Sequence, residues 1–183
     1  MIRRQGERLK SLVDDLNLTT KLEYALQPIR REAVDLVEIG RQAVSEVLNS
    51  GLPERYEIEF SEEHPGRAAR MEGDAALLRR MLDNLIRNSI VHNPQGCHIS
   101  VTVEAEDGRC TCTVTDDGVG MDAARLEALN READVSSTQS GEHGLGLKLV
   151  RQIVKAHSGT VRFRQAVPRG LEVSIIFSTS HDE

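Results

Sequence analysis

The sequence predicts a two-layer α/β sandwich with one extra helix ahead of it, and three observations carry that prediction. Apolar and polar residues alternate through 99–103 and again through 110–114, on either side of Asp107-Gly108, which is the pattern of a β-hairpin. Other stretches place apolar residues three and four apart and stop at Pro28, Pro94 or Gly159, which is the pattern of amphipathic helices able to cover one face of a sheet. A chain of 183 residues with three Phe, two Tyr and no Trp has room for one core, and that core must be filled by Leu, Ile and Val.

The elements follow in order. Leu9, Leu12, Val13, Leu16, Thr20 and Leu26 form a near-heptad stripe over 7–27, so a helix here is expected to pack against helices supplied from elsewhere, the alternative being a helix that lies on its own domain. Asp35 is placed to cap a second helix over 36–49, with Glu38 three residues on to answer it, and Gly51 ends that helix. Tyr56 to Phe60 and Ala68 to Glu72 read as strands, and Asp74 starts a helix reaching His92. After the hairpin comes a short helix near 122–129, then a polar stretch from Asn130 to Glu142 with little to bury, expected to be a mobile loop. Gly144 opens a helix with the stripe Leu149, Val150, Ile153 and Val154, and strands over 160–165 and 171–178 close the domain.

Composition excludes several classes. A net charge of -6 gives no clustered basic surface for nucleic acid, so no such partner is expected. No apolar run is long enough to span a bilayer, and the charged start Met1-Ile2-Arg3-Arg4 is not a signal peptide. The chain reads as soluble. Cys97, Cys110 and Cys112 are an odd set that suits a reducing, cytoplasmic compartment, and Cys110 and Cys112 should pack on one face of a strand.

Three short motifs carry chemistry. Asn84-Leu85-Ile86-Arg87-Asn88-Ser89-Ile90-Val91-His92 puts Asn84, Asn88 and approximately His92 on one helical face. The carbonyl oxygen of Asn88 is a hard, neutral ligand suited to Mg²⁺, which takes its other oxygens from water and phosphate. Asp116-Asp117-Gly118-Val119-Gly120 follows a strand. There Asp116 can accept from the exocyclic amine of adenine, whereas the carbonyl of guanine would be repelled, and Asp117 is expected to be an exposed turn residue. Gly141-Glu142-His143-Gly144-Leu145-Gly146-Leu147-Lys148 is a glycine-rich entry into a helix, whose bare amides and dipole suit phosphate. Each motif alone has a bland reading, as a solvated face, a turn or a connection. Their order and spacing are the stronger signal.

Together they resemble the catalytic ATP-binding domain of bacterial sensor histidine kinases, within the superfamily shared with DNA gyrase, heat-shock chaperone and mismatch-repair ATPases. Asn84 to His92 is similar to the N box, Asp116 to Gly120 to the G1 box, and Gly144 to Leu147 to the G2 box. The resemblance covers 30–178, and Leu9 to Glu23 resembles the second helix of a dimerisation hairpin. It implies a Bergerat fold, a mixed sheet backed by helices on one face, with residues 1–29 as the tail of the hairpin and 30–183 as the catalytic domain. It implies ATP and Mg²⁺ as cofactors, Asn84 and Asn88 as the catalytic pair, Asn88 on the metal and Asp116 on adenine. Gly118, Gly120, Gly144, Leu145, Gly146 and Leu147 would line the pocket, under a lid formed mostly by Asn130 to His143. The implied partners are a phosphoacceptor histidine helix of the parent kinase and a response regulator, with the parent a homodimer anchored to the membrane.

The sequence also departs from the family. Val91 stands where many such kinases have a Lys or Arg, so a phosphate-facing cation must come from His92, His143 or Lys148. His143 replaces a commoner Thr or Ser, and the phenylalanine-bearing F box is not recognisable. The ATPase branches place a water-activating Glu where this chain has Asn84, which favours phosphotransfer over hydrolysis. None of the six histidines, His64, His92, His98, His143, His157 and His181, lies in an acceptor context, so the chain is expected to bind ATP without phosphorylating itself. The alternative reading is a regulatory nucleotide-binding module without catalysis.

Overall fold

The computed structural model describes residues 2–26, 28–65, 69–106, 108–131 and 142–179. In chain order the elements are α1 (Ile2–Glu23), β1 (Glu32–Asp35), α2 (Leu36–Asn49), β2 (Tyr56–Glu62), β3 (Arg70–Gly73), α3 (Ala75–His92), β4 (Cys97–Glu106) and β5 (Arg109–Asp116), then α4 (Ala123–Asn130), α5 (Glu142–Ala156), β6 (Thr160–Gln165) and β7 (Leu171–Ser178). Five strands form one sheet in the order β2-β4-β5-β7-β6, and β1 and β3 form a separate antiparallel pair. The sheet is mixed because β2 runs parallel to β4, which requires a crossover, and α3 supplies it.

Alternation puts the core on one face of this sheet. Cys97, Ile99, Val101 and Val103 of β4, Cys110, Cys112 and Val114 of β5, and Val173, Ile175 and Phe177 of β7 are buried. Over them lie Leu36, Ile39 and Ala43 of α2, Leu78, Leu82, Leu85 and Ile86 of α3, and Leu149, Val150 and Ile153 of α5. Each large aliphatic chain removed from water contributes about 1.5–3 kcal/mol. The opposite face carries half-buried Ser and Thr, as in the Thr113–Ser174 hydroxyl pair at 3.2 Å. The two-layer sandwich with helices on one face is therefore what the chain adopts. Burial pushes the Cys110 and Cys112 thiols up to about 12, so they act as small apolar groups.

Local chemistry sets the helix starts. Asp35 accepts from the amide of Val37 at 2.9 Å, and Asp74 from those of Ala76 and Leu77, both at 3.1 Å. Glu38 does not return to Asp35; it accepts from Gln42 at 2.7 Å instead. One element goes beyond what the sequence suggests. The residues before Asp35 form a strand, β1, because the distant β3 offers them an antiparallel ladder, with Val34 opposite Met71. In α1 the face carrying Asp15, Leu18, Thr19 and Leu22 packs on this chain's own α3 and α5, with Arg80 donating to Asp15 at 2.6 and 2.9 Å. The other face leaves Leu9, Val13 and Leu16 exposed by 64%, 48% and 55%. The expected mobile loop lies outside the described residues over 132–141.

His157, expected as packing at a helix end, is buried after α5, where its Nδ1 lies 2.7 Å from the Ile153 carbonyl and its Nε2 accepts from the Asp74 amide at 2.9 Å. This joins the end of α5 to the start of α3. Burial lowers its pKa below the usual 6.5, outweighing the Ile153 carbonyl and Asp74, while Arg31 adds to the lowering. As pH falls through 6.5 the unfolded chain therefore takes up a proton that the native state refuses, and stability falls until the native imidazole also protonates. The melting temperature should drop between pH 7 and 5 more steeply in the parent chain than in His157→Gln; equal slopes would remove His157 as the cause. No described helix is long and apolar enough to cross a membrane.

Candidate functional site

The helix α3 runs between the other two motifs and touches both. On one face, Asn84 is half-buried and donates to the Arg80 carbonyl at 2.9 Å, while the Asn88 side-chain nitrogen is buried without a hydrogen-bond partner among the described residues. Facing them is Gly146, where a Cβ would sit 3.2 Å from Asn84 Oδ1 and 3.5 Å from Asn88 Oδ1. Only a bare residue leaves this gap between α3 and α5 open. His92 closes α3, and Val91 beside it is 43% exposed.

Helix α5 begins at Glu142, two residues earlier than the sequence suggests, since nothing in Glu142-His143 opposes helix and a Glu suits the positive end. The amides of Gly144 and Leu145 belong to the first turns of α5, near the positive pole of the helix. Gly144 is exposed, Leu145 half-buried and Leu147 buried in the core. Lys148 lies 3.1 Å from Glu23 of α1 and is ion-paired there. The His143 side chain lies outside the described residues.

At the other end of α3, the carboxylate of Asp116 is 4% exposed at the end of β5. Its Oδ1 accepts from the amides of Gly118 at 3.0 Å and Leu171 at 3.4 Å, and its Oδ2 accepts from the Ser89 hydroxyl at 2.9 Å. Asp117 is exposed, as expected, and takes the His98 amide at 2.8 Å, pinning the end of β5 to β4. The loop itself is held by Asn93, whose Oδ1 accepts from the Val119 amide at 2.9 Å and whose Nδ2 donates to the Ser89 carbonyl at 2.8 Å. A Cβ on Gly118 would lie 1.9 Å from Asn93 Oδ1, so the glycine is what allows this contact. Gly120 has a φ of +70°, and a Cβ there would lie 2.4 Å from Gln165.

Asn84 and Asn88 of α3 thus face Gly146, while Ser89 and Asn93 join α3 to Asp116 and Gly118, and Gly120 sits farther along that loop against Gln165. Sequence reasoning missed Ser89, Asn93, Gln165 and Gly170, all of which support the Asp116 loop. Ser89 and Asn93 did leave a trace, since they repeat the four-residue spacing of Asn84 and Asn88 one position later.

The donor set also fits Mg²⁺. Among the described residues the cluster with metal-ligand spacing, His64, Glu104 and Glu106, lies at the far end of β4 from Asp116. Near the motifs the uncommitted group is the amide of Asn88, whose oxygen and nitrogen are interchangeable by a flip. One neutral oxygen suits an ion that draws its other ligands from phosphate and water.

The mixed sheet, the one-sided helices and the three motifs, one on α3, one after β5 and one in α5, define an ATPase-type fold, and residues 73–181 match the model of the histidine kinase-, DNA gyrase B- and HSP90-like ATPase family. The chain belongs to that family. It is 31% identical over 182 residues to the sensor histidine kinase YvrG of Bacillus subtilis, covering 97% of this chain and 31% of that protein. It is 33% identical over 161 residues to the probable sensor histidine kinase TcrY of Mycobacterium tuberculosis, covering 86% and 33%. The chain therefore spans about a third of these relatives' length. Full-length ShkA in complex with AMPPNP shares the fold with a TM-score of 0.80 at 24% identity, over 97% of this chain and 38% of that one. The histidine kinase AdeS of Acinetobacter baumannii shares it at 0.75 and 19%, over 97% and 82%.

Proposed function

We propose that the chain is the ATP-binding, phosphotransfer part of a sensor histidine kinase, with 30–183 as the catalytic domain and 1–29 as the end of its dimerisation hairpin. The observation that carries this reading is the double contact of α3, with its Asn84 and Asn88 face against Gly146 and its Ser89 and Asn93 positions against the Asp116 loop. A triphosphate laid along that helix would meet Asp116 with adenine and the start of α5 with its β- and γ-phosphates.

Each residue then has a task. Asp116 accepts from the adenine amine. Gly118 and Gly120 let the loop approach the base, and the amides at the start of α5 face the phosphate oxygens. Asn88 would hold Mg²⁺, which when bound would supply charge neutralisation at the phosphates. Leu147 anchors α5 in the core so that Gly144 and Gly146 keep their places. The cation opposite the phosphates comes from His92, His143 or Lys148, the last only if its pair with Glu23 opens. Asn84 cannot act as a base on water, so the γ-phosphoryl is kept for an imidazole nitrogen, which bonds to phosphorus as the bond to the β,γ-bridging oxygen breaks and ADP leaves. That imidazole belongs to the acceptor helix of the parent kinase. The parent is proposed to be a membrane-anchored homodimer that passes the phosphoryl group to a response regulator, with this part on the cytoplasmic side.

The test is to join the first hairpin helix of a related kinase, with its histidine, to this chain and to assay phosphohistidine formation. Mg-ATP-dependent labelling that disappears in Asp116→Ala is expected. ATP binding without any transfer would favour the regulatory module instead.

A further inference from the structure

Ser89 sits one residue after Asn88, yet it turns its hydroxyl toward the opposite end of the cleft. A serine within a helix usually donates to its own carbonyl four residues back. Here the hydroxyl crosses to Asp116 Oδ2 at 2.9 Å, between two buried residues 27 apart in sequence. The residue is pinned for this purpose: its carbonyl receives Asn93 Nδ2 at 2.8 Å and the Cys97 thiol at 3.7 Å, and it is only 7% exposed.

A carboxylate offers about four lone-pair positions. Asp116 Oδ1 is committed to two main-chain amides, from Gly118 and Leu171. Among the described residues Oδ2 has one bond, from Ser89, and one position left. The amides on Oδ1 hold the carboxylate in place, and Ser89, by occupying one side of Oδ2, decides which lone pair is left.

We propose that Ser89 is a positioning residue that sets base selectivity, by aiming the remaining lone pair of Asp116 Oδ2 at the amino group of a 6-aminopurine. The proposal rests on the assignment of Asp116 to adenine made above. Without the hydroxyl, Oδ2 can rotate or take up water, and the amine of adenine loses its fixed acceptor. A 6-oxopurine gains nothing from that acceptor, so its binding is insensitive to Ser89. The phosphate end is untouched, because Asn88 and the Gly146 of α5 that faces it lie on another side of α3 from the Ser89 hydroxyl.

The experiment measures affinities of the full chain for ATP and GTP, with Mg²⁺, for the parent, Ser89→Ala, Ser89→Thr, Asp116→Ala and Ser89→Ala/Asp116→Ala. Melting curves accompany each variant. Ser89→Ala should lower the ATP-to-GTP preference about tenfold through ATP alone, the loss of one hydrogen bond to a charged group. Ser89→Thr should restore the preference, and the effect of Ser89→Ala should vanish once Asp116 is gone. An unchanged preference in Ser89→Ala, or equal weakening of both nucleotides, would overturn the role of Ser89 while leaving Asp116 as the reader. A preference for ATP that survives in Asp116→Ala would instead remove the adenine assignment, and this proposal with it. Should Ser89→Ala not fold, the isosteric pair Ser89→Thr and Ser89→Val carries the same comparison.

Discussion

Asn88→Ala should melt higher than the parent chain and yet lose Mg²⁺-dependent ATP binding. The stability side follows from what Asn88 does in the fold, which is little. Its side-chain nitrogen is buried and makes no hydrogen bond among the described residues. Leaving a buried donor unsatisfied costs about 1–3 kcal/mol, and Ala is favoured over Asn inside a helix by about 0.6 kcal/mol. Lost packing offsets part of this, so a net gain of about 1 kcal/mol is expected, or roughly 3 °C for a chain of this size. The functional side has the opposite sign. Removing even a group that supports a metal ligand lowers metal affinity 10–100-fold, so loss of the ligand itself should weaken Mg-ATP binding by about 100-fold or more. Binding with the metal chelated should be equal in the two proteins. Calorimetric melting and titration with ATP, with and without Mg²⁺, read both quantities. A variant that melts lower, or that binds Mg-ATP like the parent, would show that Asn88 is a structural residue.

That opposition of sign marks why the site was partly legible in the sequence. Asn84 and Asn88 are polar residues on a helix whose other positions, Leu78, Leu82, Leu85 and Ile86, are fully committed to the core. A buried amide without a partner among the described residues breaks a local rule at the place where the proposed function would use it. The same holds for Gly144 and Gly146, which are poor helix formers inside α5. The regular elements were legible because period and burial agree. The stripe of Leu149, Val150, Ile153 and Val154 and the alternation of Cys110, Cys112 and Val114 are all buried as expected.

What stayed hidden depends on partners distant in the chain. β1 has four residues and an exposed half, and it exists only because Arg70–Gly73 pairs with it. The parallel join of β2 to β4 leaves no local mark, since alternation is the same in either direction. The buried face of α1 includes Asp15, which takes Arg80 of α3, and Thr19, whose hydroxyl donates to the Asp15 carbonyl at 2.7 Å; both are polar residues that a search for apolar stripes passes over. Ser89 and Asn93 read as ordinary helix-end polars, and their meaning lies in Asp116 and Val119, more than twenty residues onward.

Gly170 is the sharpest case of that kind, and its replacement should have the largest effect on the fold. It ends the β6–β7 turn, where its carbonyl accepts the Ala166 amide at 3.0 Å. Its φ is +104°, a region that side chains rarely adopt, and a Cβ there would lie 1.7 Å from the Asp116 carbonyl oxygen and 2.9 Å from Asp117 Cα. These are main-chain atoms, so relief requires moving the end of β5 and with it the Asp116 carboxylate. The backbone conformation costs about 1–2 kcal/mol, and forced overlap about 1–3 kcal/mol more. Gly170→Ala should therefore lower stability by about 3 kcal/mol and the melting temperature by about 10 °C. Because Leu171 donates to Asp116 Oδ1 next door, ATP affinity of the folded fraction should fall as well. Gly51 provides the control: its φ is +83°, but no atom lies within 4 Å of a Cβ there. Gly51→Ala carries the conformational cost without the overlap, and it should lose roughly 3–5 °C with nucleotide affinity unchanged. If the two variants melted together and bound ATP alike, the close approach of Gly170 to the Asp116 strand end would not be a determinant of the site.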